Sequence, residues 1–143
     1  MITIDSAAAG GAERVQPESF RARGIAVSLT VTDIQKSLAW YRDVVGFTVE
    51  QQYEREGTLR AVSLKAGTVQ LLIGQDDGAK GWERVKGEGF SLQFTTAQNV
   101  DALAAQIKER GGTLESEPAD AWGVRVFRLR DPDGFNLVIS SEK

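Results

Sequence analysis

Cysteine and histidine are both missing from this chain of 143 residues. Without cysteine there are no disulfides and no thiol chemistry, and the redox compartment is left open. The lack of histidine excludes more, since it removes the commonest transition-metal ligand and the commonest general base together. No Ser-His or Cys-His nucleophile can therefore be built. Basic residues number 17 against 20 acidic ones, a net charge of −3. That is the wrong sign for following a phosphate backbone, so no nucleic-acid partner is expected. No apolar run approaches the roughly 18 residues of a membrane-spanning helix, so no membrane partner is expected either. The opening stretch, Met1 to Gly11, has no basic segment leading into an apolar one. No signal peptide is expected, and the default location is cytoplasmic. The segments Gly67-Thr-Val-Gln70 and Gly111-Gly-Thr-Leu114 read as turns rather than phosphate loops, because no helix follows them.

What is present fits one soluble globular domain: 41% hydrophobic and 26% charged residues. Residues 1–22, rich in Ala, Gly and charge without periodicity, read as a flexible N-terminal tail, or else as an arm that docks a partner. Residues 23–143 read as the domain. Ile25, Val27, Leu29 and Val31 alternate with Ala26, Ser28 and Thr30, the period of a strand. Asp33 then offers an N-cap, Ile34, Leu38, Tyr41 and Val45 recur at helical spacing, and Gly46 suits a left-handed helix end. Strands are expected at 47–53, 58–65 and 69–73.

After a Gly-rich polar connector containing Trp82 the same order begins again. Phe90, Leu92 and Phe94 alternate with Ser91, Gln93 and Thr95; Asn99 caps a helix whose stripe is Val100, Leu103, Ala104 and Ile107; Gly111-Gly112 ends it. A strand at 113–117 follows. The last two strands flank Asp131-Pro132-Asp133-Gly134, in which the two carboxylates serve the turn. Cap and terminal glycine are 13 residues apart in the first half (Asp33, Gly46) and 12 in the second (Asn99, Gly111). The chain is thus expected to be α+β, two βαβββ modules (about 23–75 and about 88–143) joined by the connector 76–87. Each helix covers one sheet face, leaving the other open, and the open faces are expected to line a concave cleft on a curved mixed sheet with the helices outside.

The segment Val31-Thr-Asp33-Ile-Gln-Lys-Ser37-Leu-Ala-Trp-Tyr41-Arg-Asp-Val-Val-Gly46-Phe47 resembles the first strand-helix unit of the vicinal oxygen chelate superfamily. That is the group of glyoxalase I, bleomycin resistance proteins and extradiol dioxygenases. Phe94 through Asn99-Val100-Asp101 to Gly112 is similar to its second unit, and Trp122-Gly123 with Asp131-Pro132-Asp133-Gly134 to its closing hairpin. The resemblance covers about 23–141 and implies the glyoxalase/bleomycin resistance fold. It also implies four metal-ligand positions, usually His, Gln or Glu, which fall here on Ala26, Gln70, Ser91 and Val138. Only Gln70 is a plausible ligand, so neither a metal nor another cofactor is expected.

By parity the cleft-facing side chains are mostly small and polar. Candidate ligand-binding residues are Ser28, Gln70, Ser91, Gln93, Arg128 and Asn136, with Trp122 as a stacking wall; Trp82 is a further candidate wall. Each aromatic suits a rim or an interface equally. Arg128 either anchors an anionic or carbonyl-bearing ligand or pairs with a nearby carboxylate. Glu50, Glu54 and Glu56 read as a solvated edge from which a carboxylate can still reach in. No catalytic residue is assigned.

The expectation is a metal-free small-molecule-binding protein that sequesters a drug or metabolite. The resemblance adds a homodimer whose grooves both chains build. One alternative is an enzyme of lyase, isomerase or dioxygenase type, working without metal or with a degenerate site at Gln70. Another is a regulatory subunit with a vestigial cleft. The pI of about 5.1 suits a cationic drug whereas Arg128 does not, so the ligand stays open.

Overall fold

The computed structural model describes residues 19–143. The tail expected at 1–22 lies outside the described residues as far as residue 18. From 19 to 26 the chain forms neither helix nor strand and its side chains are exposed.

The first module runs β1 (Val27–Val31), α1 (Ile34–Ala39), β2 (Thr48–Arg55), β3 (Thr58–Ala66) and β4 (Val69–Gln75). The second runs β5 (Ser91–Thr96), α2 (Val100–Glu109), β6 (Leu114–Ala121), β7 (Val124–Arg130) and β8 (Asn136–Ser141). Both helices start where a side-chain acceptor meets an orphan backbone donor: Asp33 takes the N–H of Lys36 at 3.2 Å, and Asn99 that of Ala102 at 2.9 Å. α1 does not run on regularly to Gly46. Its continuation, Trp40–Val45, widens to a π-helical turn, where the N–H groups of Gly46 and Phe47 both donate to the Tyr41 carbonyl, at 3.0 and 2.8 Å. Gly46 closes it at φ 108°, a conformation that favours glycine.

Each module makes its own four-stranded mixed sheet, in the orders β1-β4-β3-β2 and β5-β8-β7-β6. β1 lies parallel to β4 and β5 parallel to β8; the remaining pairs are antiparallel. The two sheets are not joined into one. Leu29, Val31, Leu71, Ile73, Leu92, Phe127, Leu129, Leu137 and Ile139 all enter one hydrophobic core that takes in Ile34, Leu38, Tyr41 and Ile107 of the helical segments. Phe47 of the first module meets Phe94 of the second edge-to-face at 6.0 Å. Two further bonds cross between modules: the Tyr41 hydroxyl donates to Asp131 Oδ2 at 2.7 Å, and the Thr32 N–H donates to the Asp133 carboxylate at 3.1 Å. The two modules therefore meet through this shared core, and each helix packs against the sheet of its own module. The open faces are turned to solvent.

Three strands depart from expectation for local reasons. β6 extends to Ala121, with Pro118 inside it, because it is an edge strand and its register shifts between Leu114 and Ala119. β2 extends to Arg55 and carries a bulge between Val49 and Gln51, so that Glu50 has no cross-strand partner. β4 runs two residues further, to Gln75, whose amide caps the loop by donating to the Thr32 carbonyl at 2.7 Å.

Candidate functional site

The open face of the second sheet is built in rungs. Gln93 lies beside Val138, Val138 beside Arg128, and Arg128 beside Ser116. One rung away, Ser91 lies beside Asn136 and Asn136 beside Arg130. Val138 is buried, at 8% exposure, yet it stands outside the common core. Among the described residues the Arg128 guanidinium has no carboxylate partner. Asn136 Oδ1 is buried without any hydrogen-bond donor, an acceptor that costs stability unless something else supplies the donor.

A cavity of about 790 Å³ opens over this end of the sheet. Ser91, Asn136 and Arg130 form its floor, and the connector from Arg84 to Phe90 forms its wall. The connector is held there by Asp76, a buried carboxylate that accepts from Lys86 Nζ at 2.6 Å, from the Gly78 N–H at 2.8 Å and from Arg84 at 3.3 Å. The Lys86 ammonium, then the Gly78 N–H and the Arg84 guanidinium, hold the Asp76 carboxyl down at about 2.

On the first sheet the bulge turns Glu50 onto the open face. Its carboxylate accepts from Ser63 Oγ at 2.8 Å and Gln70 Nε2 at 2.5 Å, and faces Lys65 Nζ at 3.5 Å. The Ser63 hydroxyl, then the Gln70 amide and Lys65, hold the carboxyl below its ordinary range. It is therefore an ionised hydrogen-bond acceptor around neutral pH and a weak base. Sequence reasoning left Glu50 among solvated edge residues and missed Ser63 altogether. Alternation along β3 puts Ser63 and Lys65 on one face, a signal available for Ser63; nothing comparable marks the bulge at Glu50.

The expected site residues fall into three groups. Ser91, Gln93, Arg128 and Asn136 share the open face of the second sheet, and Ser91 and Asn136 line its cavity. Ser28 and Gln70 share the open face of the first. Neither this cavity nor the one lined by Phe47 and Phe94 takes open-face side chains from both sheets. Trp122 stands apart at the β6–β7 tip, 92% exposed. β7 runs from that tip to Arg130 beside Asn136, a length of roughly 20 Å at about 3.3 Å per residue, so Trp122 and Asn136 of one chain cannot flank one small molecule. Trp82 lies in the connector with its ring over Gly78, leaving no room for a Cβ there.

Asp131 does turn work, whereas the Asp133 carboxylate, expected to serve the turn too, instead accepts from the Thr32 N–H of the first module. Asp131 Oδ1 accepts from the N–H groups of Asp133 and Phe135, at 2.9 and 2.8 Å. Burial, against the bonds from Tyr41 and the backbone, pushes the Asp131 carboxyl up. Burial also raises the Tyr41 phenol far above its ordinary value, with the neighbouring Asp131 charge adding to it.

The four positions that hold metal in enzymes of this fold can be tested directly. Ala26 precedes β1, whose first pair is Val27 with Leu71, the neighbour of Gln70; Ser91 and Val138 lie one rung apart on the second sheet. Ala26 and Val138 carry no donor atom, and no cluster of three or more His, Cys, Asp or Glu side chains suited to a metal exists among the described residues. These residues do not fit a divalent-metal centre.

A duplicated βαβββ scaffold with polar open faces is the architecture of a known class of binding proteins and enzymes. The family model for the Glyoxalase/Bleomycin resistance protein/Dioxygenase superfamily matches residues 25–139, and the chain belongs to that superfamily. No curated protein sequence matches the chain. Among solved structures it is similar to TioX from Micromonospora sp. ML1 (TM-score 0.70, 19% identity, 85% of this chain and 100% of that one). It is also similar to TnmS3, an antibiotic binding protein from Streptomyces sp. CB03234 (TM-score 0.67, 20% identity, 88% and 100%). A third is a superfamily member from Sphaerobacter thermophilus DSM 20745 (TM-score 0.65, 24% identity, 85% and 98%). At these identities the likeness establishes the fold. Among the described residues no helix is long and apolar enough to cross a membrane.

Proposed function

We propose that this protein is a metal-free small-molecule binder that sequesters a drug or metabolite against its open sheet faces, acting by stoichiometric capture in the cytoplasm. The observation that carries this reading is chemical. The family's metal positions hold Ala26, Gln70, Ser91 and Val138, while the surrounding faces offer unpaired groups to an organic ligand, Arg128 and Asn136 Oδ1 above all. TnmS3, of the same fold, is described as an antibiotic binding protein, in keeping with such a role. The ligand-binding set is Ser28, Gln70, Ser91, Gln93, Trp122, Arg128 and Asn136, to which Glu50 is added. The protein works as a homodimer: neither of the two cavities described above takes open-face side chains from both sheets of one chain, and a second copy apposed to them completes the groove.

Elemental analysis and a thermal-shift screen test the reading together. Purified protein is expected to hold no stoichiometric Ni, Zn, Fe or Mn. Screened organic acids, thiol conjugates and glycopeptide drugs are expected to include binders; one at 100 times its dissociation constant adds roughly 2.7 kcal/mol of stability. A stoichiometric metal overturns the metal-free reading. Hits that all survive Arg128→Ala unchanged remove the anchor.

A second reading, an enzyme without metal, draws on Glu50 and Gln70, which put one oriented carboxylate on the first sheet. Its test is turnover of a screened binder that Glu50→Gln abolishes while binding persists.

A further inference from the structure

We infer that the chain carries a second ligand site, on the helix side between the two modules, built for an aromatic monocarboxylate. A cavity of about 590 Å³ lies there, within the ordinary range of small-molecule sites. Its floor is apolar: the edge-to-face pair of Phe47 and Phe94, with Val69, Leu103 and Ile139 beside it. Val69 remains exposed although it heads a strand whose next inward residues, Leu71 and Ile73, are buried. A flat ring is the shape that stacks against such phenyl edges.

The rim supplies the polar end. Arg110, just past α2, reaches across to the end of the first helix, its Nη1 3.4 Å from where a Cβ on Gly46 would stand. That guanidinium has no carboxylate partner among the described residues, and the Gln106 side chain on the same rim has no hydrogen bond. Both groups point to an oxyanion with two acceptor atoms. Glu142 lines the same cavity, so a second negative charge on the ligand meets repulsion there. One ring system and one carboxylate satisfy all three conditions. The site stands apart from Gln70, Gln93 and Arg128, which face the other way, so it does not depend on the reading proposed for the open faces.

Calorimetric titration of the full chain with 2-naphthoate, and with neutral 2-naphthamide, tests the inference. One 2-naphthoate per chain is expected, with 2-naphthamide about tenfold weaker for want of the charged contact. Arg110→Gln, at an exposed position, is expected to weaken 2-naphthoate about tenfold and leave 2-naphthamide unchanged. Val69→Trp fills the cavity from its exposed edge and is expected to abolish both, while Arg128→Ala changes neither. No binding of 2-naphthoate at millimolar concentration overturns the inference. So does binding that survives Val69→Trp in protein whose unfolding transition is intact, or binding that falls with Arg128→Ala and not with Arg110→Gln.

Discussion

Trp122 is a bulky residue at φ 56°, followed by Gly123 at φ 80°. Those are the two central positions of a type I′ hairpin turn, which Asn-Gly fills without strain and a tryptophan does not. The indole is almost wholly solvent-exposed, so no packing within the chain compensates. Strain of this kind, left without local reward, points to work done outside the chain. Trp122→Asn is therefore expected to stabilise the protein by about 1 kcal/mol in denaturant unfolding, the left-handed cost being removed. The same variant is expected to weaken binding of whatever the open-face groove takes. A variant no more stable than the wild type removes the strain argument. Nothing in the period-two pattern of β6 and β7 marks this residue; the two strand ends had to be seen pairing as Ala121 with Val124 before its conformation was apparent.

At the level of elements, the connector and the module junction each depend on one side chain or its absence. Asp76 ties Lys86 and Arg84 to the end of β4 and so fixes the wall of the larger cavity. Its folded-state value, about 2, lies below the ordinary 3.8. A carboxyl depressed on folding contributes stability that is complete above the unfolded value and is lost as pH falls from about 4 toward about 2. Asp76→Asn is expected to lower Tm at pH 7 and to flatten its fall between pH 4 and 2. Amide exchange in 77–90 is expected to quicken; unchanged exchange there would show that the connector is held by something else. Gly112 plays the opposite part, by lacking a side chain. A Cβ there would lie 2.6 Å from Ile107 Cγ2, 2.7 Å from Val44 Cγ1 and 2.9 Å from the Ile107 carbonyl. Gly112→Ala is expected to cost about 1–3 kcal/mol in chemical unfolding, because α2 and the π-helical turn must part to admit it.

Much of this level is legible in the sequence. Alternation in β1, β5 and β7 follows the buried side of each strand, and a slip of one residue would bury its polar set, although β8 buries Val138 as well as Leu137 and Ile139. Caps and terminal glycines mark both helices for an equally local reason. The bulge at Glu50 and the widened turn at Trp40–Val45 are not legible, since each arises from what the neighbouring element does with the backbone. How the modules join is hidden too: the pairing of Phe47 with Phe94, and of Tyr41 with Asp131, leaves no mark on the period of either module.

For the whole molecule that joining decides where a groove can form. The first sheet offers the Glu50 carboxylate with Gln70, the second the unpaired Arg128, and neither cavity described above brings them together within one chain. In the two-fold dimer proposed above, each groove would take the first sheet of one copy and the second sheet of the other. The assembly is expected to show twice the 15.5 kDa chain mass in light scattering. Glu50→Gln and Arg128→Ala, prepared separately, are each expected to lose the strongest binder from the thermal-shift screen. When the two are unfolded and refolded together, half the dimers are mixed, and each mixed dimer has one groove with both residues intact and one with neither. About a quarter of all grooves then recover wild-type affinity by titration. Recovery requires that Glu50 and Arg128 of different copies face a single ligand. A mixture that binds no better than its parents would mean that every groove draws both residues from the same copy, and the shared-groove dimer would have to be abandoned.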